Sequence, residues 1–396
     1  MIAIVSKELS RLLKRSSVLV VLIISPFAIS ALTILFYINL DVKSMNIGIL
    51  NLDRDERSIL TVTFLMRFFK GAYLEKVNRS NYLQKLINGD LEAVLVIPDG
   101  FMEKVYARKK SEVWYIPSPH DLQLSIGAYS ILKSLFEDLA GGIFVDMGAT
   151  KSMGGSCIRR MLFSYKRYPP PEFISKKPIV EGEFPPPSVV FWKPPESEKL
   201  DFDVLMSPAV ILLSGVLAIL TLSIHSVIDD RERGLLEIYK VGNINSYLYA
   251  ISNIFVYTLI GILASSMSYV IAYFMSRTLI NPLIRIPLIS LISLIYASLG
   301  FIISVYSPNR STANLLMIFF ITISILASGN FVAISQMPKF SRSLVMASPI
   351  YNANMIFRKE LLFLGAKISK ELTNTVIWGV VFFISAVLSG RYAFRR

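Results

Sequence analysis

Five apolar runs fill the second half of the chain, at 204–228, 248–275, 286–306, 312–335 and 372–388. Each is near the roughly 20 residues that a helix needs to cross the hydrocarbon core of a bilayer. A sixth run, 18–40, holds no charge and a single proline, Pro26. It exceeds the apolar core of about 7–15 residues in a signal peptide, so it reads as a retained first span. Runs of this length leave few alternatives, because a backbone in lipid must satisfy its own polar groups and a helix does so. Composition agrees: hydrophobic residues make up 53% of the chain and charged ones 17%, against about 25% charged in soluble domains. The expected fold is an α-helical polytopic membrane protein of about six spanning helices with an inserted α/β extracytoplasmic domain. Residues 1–40 hold an amphipathic helix and the first span, 41–203 the inserted domain, and 204–396 the other five spans.

Charge excludes one class of partner. The chain carries +13 overall, but residues 41–203 contribute only +1, with +3 from 1–40 and +9 from 204–396. The basic excess thus belongs to the apolar parts, where Lys and Arg flank spans and face anionic headgroups of membrane lipids. A nucleic-acid surface needs a basic soluble region, and the one soluble region is nearly neutral. No nucleic-acid partner is expected. One cysteine, Cys157, and two histidines, His120 and His225, leave no internal disulfide and no His/Cys metal site to expect.

Residues 41–203 read as strands alternating with helices, which implies a layered βαβ-type domain with some parallel pairing. The predicted strands are 46–51, 74–77, 91–97 and 111–116, and helical patterning covers 56–69 and 122–145. Ser80 is the expected N-cap of a helix through Ile87 closed by Gly89, and Asp99 that of a helix through Ala107. Residues 165–200, with Pro169–Pro171, Pro185–Pro187 and Pro194–Pro195, read as a stiff, extended return linker.

Residues 2–15 set Ile2, Val5, Leu9, Leu12 and Leu13 on one helical face and Lys7, Glu8, Arg11, Lys14 and Arg15 on the other. That is either an amphipathic helix lying in the membrane interface or the charged flank of a membrane anchor. With both termini cytoplasmic, the inner segments hold eleven Lys and Arg and the short outer loops eight. The positive-inside rule therefore sets the termini in the cytoplasm of a plasma-membrane protein and residues 41–203 outside. Small and hydroxylated residues in the third span (Gly261, Ala264, Ser265, Ser266, Ser268) and the fifth (Ser324, Ala327, Ser328, Gly329) read as helix-packing positions, the alternative being the lining of a narrow, weakly polar path. Arg285 reads as an interfacial anchor near the end of the fourth span; the role of His225 stays open.

The order of these elements resembles the ABC-2 type transporter permease family, in its branch with a large extracytoplasmic domain between the first two spans. The stretches that carry the likeness are Ser6-Lys-Glu-Leu9, Asn46-Ile-Gly-Ile-Leu-Asn51, Leu86-Ile-Asn-Gly-Asp90, Ala93-Val-Leu-Val-Ile-Pro98 and Phe101. Asp230-Arg-Glu-Arg-Gly-Leu-Leu-Glu237 is similar to the family's E-R-x-x-G-x-L-E loop, which leads into a short cytoplasmic helix that docks on the partner ATPase. Beyond it the family often has a proline, where this chain has Val241-Gly-Asn-Ile-Asn245. Ser348-Pro-Ile-Tyr351 resembles the family's outer re-entrant segment.

The resemblance implies an exporter permease, and the absence of charged lining in the spans suggests a hydrophobic or amphipathic substrate. Its partners would be an ATP-binding cassette subunit and a second permease copy, identical or related. The coupling loop would comprise Asp229, Asp230, Arg231, Glu232, Arg233, Gly234, Leu235, Leu236 and Glu237, and the re-entrant segment Ser348, Pro349 and Tyr351. Asp229, Asp230 and Glu232 are then expected to cap the short helix. Arg231, Arg233 and Glu237 would remain for charged contacts with the ATPase, and Leu235, Leu236, Ile238 and Tyr239 would offer it an apolar face. The plain alternative is a solvated charged turn. No G-x-x-x-x-G-K-[ST] phosphate loop occurs in the chain, so no catalytic residue, cofactor or metal is expected and the chain is not itself an enzyme. Two rivals are an ion-coupled secondary transporter, which calls for internal repeats and mid-bilayer charge, and a membrane-anchored binding or sensor protein, which does not call for five further spans.

Overall fold

The computed structural model describes residues 2–13, 16–37, 46–59, 62, 73–77, 81–107, 109–138, 187–193, 198–199, 202–276, 281–332, 334, 337–362 and 367–395. The chain forms two compact units, one of Met1–Asn39 with Asp201–Arg396 and one of Leu40–Leu200.

The first unit is helical. It begins with α1 (Ile2–Leu13) and α2 (Ser16–Tyr37) and resumes with α6 (Phe202–Ser223), α7 (Ser226–Glu232), α8 (Leu235–Val241), α9 (Ser246–Ser276), α10 (Pro282–Tyr306) and α11 (Arg310–Ala327). It closes with α12 (Lys339–Ala347), α13 (Pro349–Leu362) and α14 (Ser369–Arg395). Five of its helical stretches are long and apolar enough to cross a membrane: Ser207–Glu232, Ser246–Phe274, Pro282–Tyr306, Arg310–Ala327 and Ser369–Arg395. α2 adds 22 residues without a charge, about 33 Å at 1.5 Å per residue. The bundle has a centre and a rim. The most apolar 18-residue stretches of Ser207–Glu232 and Pro282–Tyr306 are 78% buried, whereas those of α11 and α14 are 17% and 22% buried. The latter two present apolar faces such as Leu315, Ile318, Val380 and Ile384 to the surroundings.

Close packing at the centre depends on small residues. A Cβ on Gly261 would collide with Ile219 and one on Gly300 with Ser223 Oγ, while Ser214 and Ser268 share a hydrogen bond between α6 and α9. The packing role expected for Gly261, Ser265 and Ser268 is what the helices use. The fifth span is shorter than the apolar run suggested. α11 stops at Ala327, not 335, because Gly329 takes φ +70° and turns the chain. Arg285 stacks its guanidinium over the Tyr269 ring at 3.8 Å, an anchoring contact for a cation near a span end.

The second unit holds β1 (Asn46–Asn51), β2 (Tyr73–Lys76), α3 (Tyr82–Asn88), β3 (Ala93–Ile97), α4 (Phe101–Tyr106), β4 (Glu112–Pro117), α5 (Leu122–Asp138), β5 (Ser188–Lys193) and β6 (Glu198–Lys199). Its sheet runs β2-β1-β3-β4-β5-β6. The β1–β2, β1–β3 and β4–β5 pairs are parallel, and β3–β4 and β5–β6 are antiparallel. Every residue of β3 is buried, as a continuous apolar run in a sheet covered on both faces requires. Leu86, Phe101, Val105, Leu122 and Ile126 are buried in the same unit.

Three local expectations need correction. The N-cap of α3 is Asn81, and Ser80 lies outside the described residues; Gly89 does end that helix. Asp99 does not cap α4. Gly100 occupies the cap at φ 74°, and the Met102 amide donates instead to Asp53, two residues beyond β1, at 2.8 Å. The proline-rich return segment is not linker throughout, since Ser188, Val189, Val190 and Phe191 of β5 pair with β4. Most of 56–69, all of 139–145 and Cys157 lie outside the described residues.

Candidate functional site

The segment between α6 and α9 is a bent arm made of α7 and α8. Its start is fixed by another helix: the hydroxyl of Ser304 on α10 accepts from the Val227 and Ile228 amides, at 3.0 and 3.4 Å. These are two of the donors that a helix N-terminus leaves without intrahelical partners. The bend falls at Gly234, which takes φ +70°, a conformation that costs a side-chain-bearing residue roughly 1 kcal/mol or more. At the far end the Asn245 side chain accepts from the Tyr247 amide at 2.9 Å and starts α9 as an N-cap does.

The arm is seated on a buried ionic cluster. Asp229 and Asp230 are almost wholly buried, as is Glu8 on α1. Lys7 Nζ donates to both carboxylate oxygens of Asp230, at 2.8 and 3.0 Å, and to Tyr239 Oη at 2.8 Å. Arg11 bridges the pair, donating to Asp230 and to Asp229 at 3.0 Å each. Tyr249 on α9 donates to Asp230 at 3.0 Å, and Arg310 reaches Asp229 at 3.0 Å. Charge-assisted bonds of this kind are the strong ones, and removing one member of a buried pair costs about 3–5 kcal/mol because it strands the other charge. The Arg310–Glu232 pair is half exposed on both sides and contributes under about 1 kcal/mol. Burial opposes charge on Lys7, but its hydrogen bonds to Asp230 and Tyr239 outweigh it and hold the ammonium above its ordinary pKa. Burial raises the Glu8 carboxyl above its ordinary value despite Arg11 and Lys7 nearby.

This geometry revises the expected roles. Asp229 and Asp230 do not cap the short helix, whose N-cap is Gly234 with no side-chain cap. They bind α1. Its charged face, expected to meet headgroups or solvent, turns onto the protein, while Leu9 is exposed. Glu232 pairs with Arg310. Arg231 is not held out for a partner: it donates to the Val305 and Ser307 carbonyls at 3.2 and 3.3 Å, where the end of α10 leaves acceptors to satisfy. Leu236 is buried and Leu235 and Tyr239 are half-buried, so the expected apolar face turns inward except at Ile238. What the arm exposes is Glu232, Arg233, Glu237, Ile238, Lys240 and Val241, with Ile238 63% and Val241 90% exposed. His225 occupies the turn before α7, at that helix's N-cap position. The α1 contact was missed because its residues lie about 220 positions away. The signal was there in the i, i+4 spacing of Lys7 and Arg11, which presents two cations on one face.

The second expected segment gathers around α13, which is nearly wholly buried. Ser348 ends α12 and Pro349 opens α13 at its first residue, the position where a missing N–H costs nothing. Tyr351 packs with Ile334 and Met355. Polar side chains of α13 serve the end of α11: Asn354 donates to Ser328 O at 3.0 Å and Arg358 to Gly329 O at 3.2 Å. Lys359 pairs with Glu371 at 2.7 Å. α12, in contrast, buries none of its residues and exposes Phe340 and Leu344. Among the described residues no group of His, Cys, Asp and Glu has the arrangement of a metal site.

The family model described as ABC-2 family transporter protein matches residues 16–388. The chain belongs to the ABC-2 transporter family. It is thus a multi-pass membrane subunit of an ABC-type transporter, a kind of permease that associates with an ATP-binding subunit. No curated protein and no solved structure matches this ABC-2 chain.

Proposed function

We propose that this ABC-2 permease is the spanning half of an exporter, and that the arm formed by α7 and α8 is the cytoplasmic element on which its ATP-binding subunit docks. The observation that carries the reading is the division of the arm: its inner side is locked into a buried ionic cluster, and its outer side offers Glu237, Ile238, Lys240 and Val241 uncovered. An isoleucine and a valine exposed beside charges on a short helix suit a protein cleft better than water. Residues 41–203 lie outside on this reading. The spans carry hydroxyls and small residues rather than charges along their length, which suits a hydrophobic or amphipathic substrate. The uncovered apolar faces of α11 and α14 are available to lipid and to a second permease copy.

The test is co-purification. The tagged chain, extracted from its native membranes in mild detergent, is expected to bring an ATP-hydrolysing subunit with it and to show no turnover once stripped of it. Glu237→Lys with Ile238→Asp changes only exposed side chains; it should insert normally and lose the subunit. Retention of the subunit by that variant, or its absence from the wild-type preparation, overturns the docking role.

A further inference from the structure

α8 has little buried surface with which to hold its angle. It starts at Gly234, around which nothing lies within 4 Å of where a Cβ would stand, and among its seven residues Leu236 alone is buried. Glycine leaves the backbone at the bend freer than any other residue would, so a contact that spans the bend has an angle to set. Lys7 spans it. Its ammonium bonds to Asp230 on the near side of the bend and to Tyr239 on the far side, and it also lies 5.1 Å from the centre of the Tyr239 ring. Arg11, one turn along α1, holds Asp229 and Asp230. The Tyr239 ring in turn rests 5.7 Å from that of Tyr249, so the brace ends on α9.

We propose that α1 is a positioning strut for the arm: Lys7 ties α7 to α8 across the Gly234 bend and sets the angle of α8, while Arg11 anchors the strut on Asp229 and Asp230. Lys7 and Tyr239 are positioning residues that act through α8. The inference rests on the docking reading only for its consequence, that a stiff arm passes on rigid-body motion which a loose one would absorb.

Hydrogen exchange of the detergent-purified full chain tests it. Lys7→Gln should speed exchange of the amides at 235–241 by about tenfold or more, as expected when a local closing contact is lost, and leave those of α9 protected. Tyr239→Phe, which removes one hydroxyl and is the milder change, should act in the same direction, and Lys7→Arg should preserve protection. Unchanged exchange at 235–241 in both Lys7→Gln and Tyr239→Phe overturns the strut, as does an increase spread equally over α9. The two readings fail separately. Loosened α8 in Lys7→Gln with the ATPase subunit still held by the Glu237→Lys, Ile238→Asp variant keeps the strut and sinks docking. Unchanged exchange in both Lys7→Gln and Tyr239→Phe, with the subunit lost by the Glu237→Lys, Ile238→Asp variant, keeps docking and sinks the strut.

Discussion

Glu8 is a carboxylate with no exposed surface, flanked by Lys7 at 3.0 Å and Arg11 at 3.3 Å. Both cations have other carboxylates to serve, so the two ion pairs do not repay the full cost of burying a third negative charge. Burial is the leading cause that raises its pKa from 4.5. A carboxyl whose folded value is raised binds its proton more tightly in the folded state. Its contribution to stability is therefore present at acidic pH and is lost as pH climbs from 4.5 through the raised value, at about 1.4 kcal/mol for each pH unit between the two. Glu8→Gln cannot titrate. The melting temperature of wild type relative to Glu8→Gln should fall as pH rises across that window; a wild-type advantage that grows with pH would refute the assignment. Asp229 and Asp230 show what a local reading can and cannot extract. Their charge at the end of an apolar run marks them as special, but a helical pattern scores each residue against its own neighbours. It assigns them to the nearest helix terminus, when their partners are Lys7 and Arg11 on a helix that precedes them by more than two hundred residues.

Between elements, the spans are legible because hydrocarbon thickness imposes a length on every crossing helix. Their ends are less so. Hydropathy carries the fifth run through 335, but Ser328, Gly329 and Asn330 form a turn that polar groups of α13 then bind. No sum of side-chain hydropathies registers a positive φ. β5 hides for the opposite reason: its six residues sit between two proline clusters, and the flanks dominate the pattern of the segment. How closely helices approach is also invisible in composition, and it gives a sharp test. A methyl group on Gly300 of α10 would strike Ser223 Oγ and lie 3.0 Å from Ser223 Cβ, at the end of α6, with the next nearest atom at 3.9 Å. Gly300→Ala should destabilise the purified protein by about 1–3 kcal/mol, the usual cost of overpacking a tight core. Adding Ser223→Gly removes both obstructions and should recover most of the lost melting temperature. Gly390→Ala meets the Ser246 carbonyl oxygen at 2.7 Å, which is backbone, so no single side-chain truncation there should rescue it. Recovery absent in the first case, or found in the second, contradicts the packing described.

For the molecule as a whole, the remaining question is which end of the bundle faces the cytoplasm, and the side-chain contacts bear on it directly. Lys7, Arg11 and Arg310 meet at Asp229 and Asp230, Arg231 binds the carbonyls after α10, and Arg391 stacks over Tyr247 at 4.8 Å. These basic residues, scattered from one end of the sequence to the other, thus gather around one end of the helical unit. Several are neutralised there by carboxylates, but Asp and Glu weigh little in orienting spans, and the cations retain their pull. That end is expected in the cytoplasm, with α8 exposed to it, and residues 41–203 on the other side. The single cysteine makes this measurable: in a Cys157→Ser background, cysteines can be introduced singly at two exposed positions, Val241 on α8 and Arg54 after β1, whose side chain is 90% exposed. A membrane-impermeant maleimide applied to intact cells should modify Arg54→Cys at once and reach Val241→Cys only after permeabilisation. The inverse pattern would place the arm outside, where no nucleotide-driven subunit could reach it. Labelling of both positions in intact cells would mean that the two sites lie on the same face, and would remove the even number of crossings on which the orientation depends.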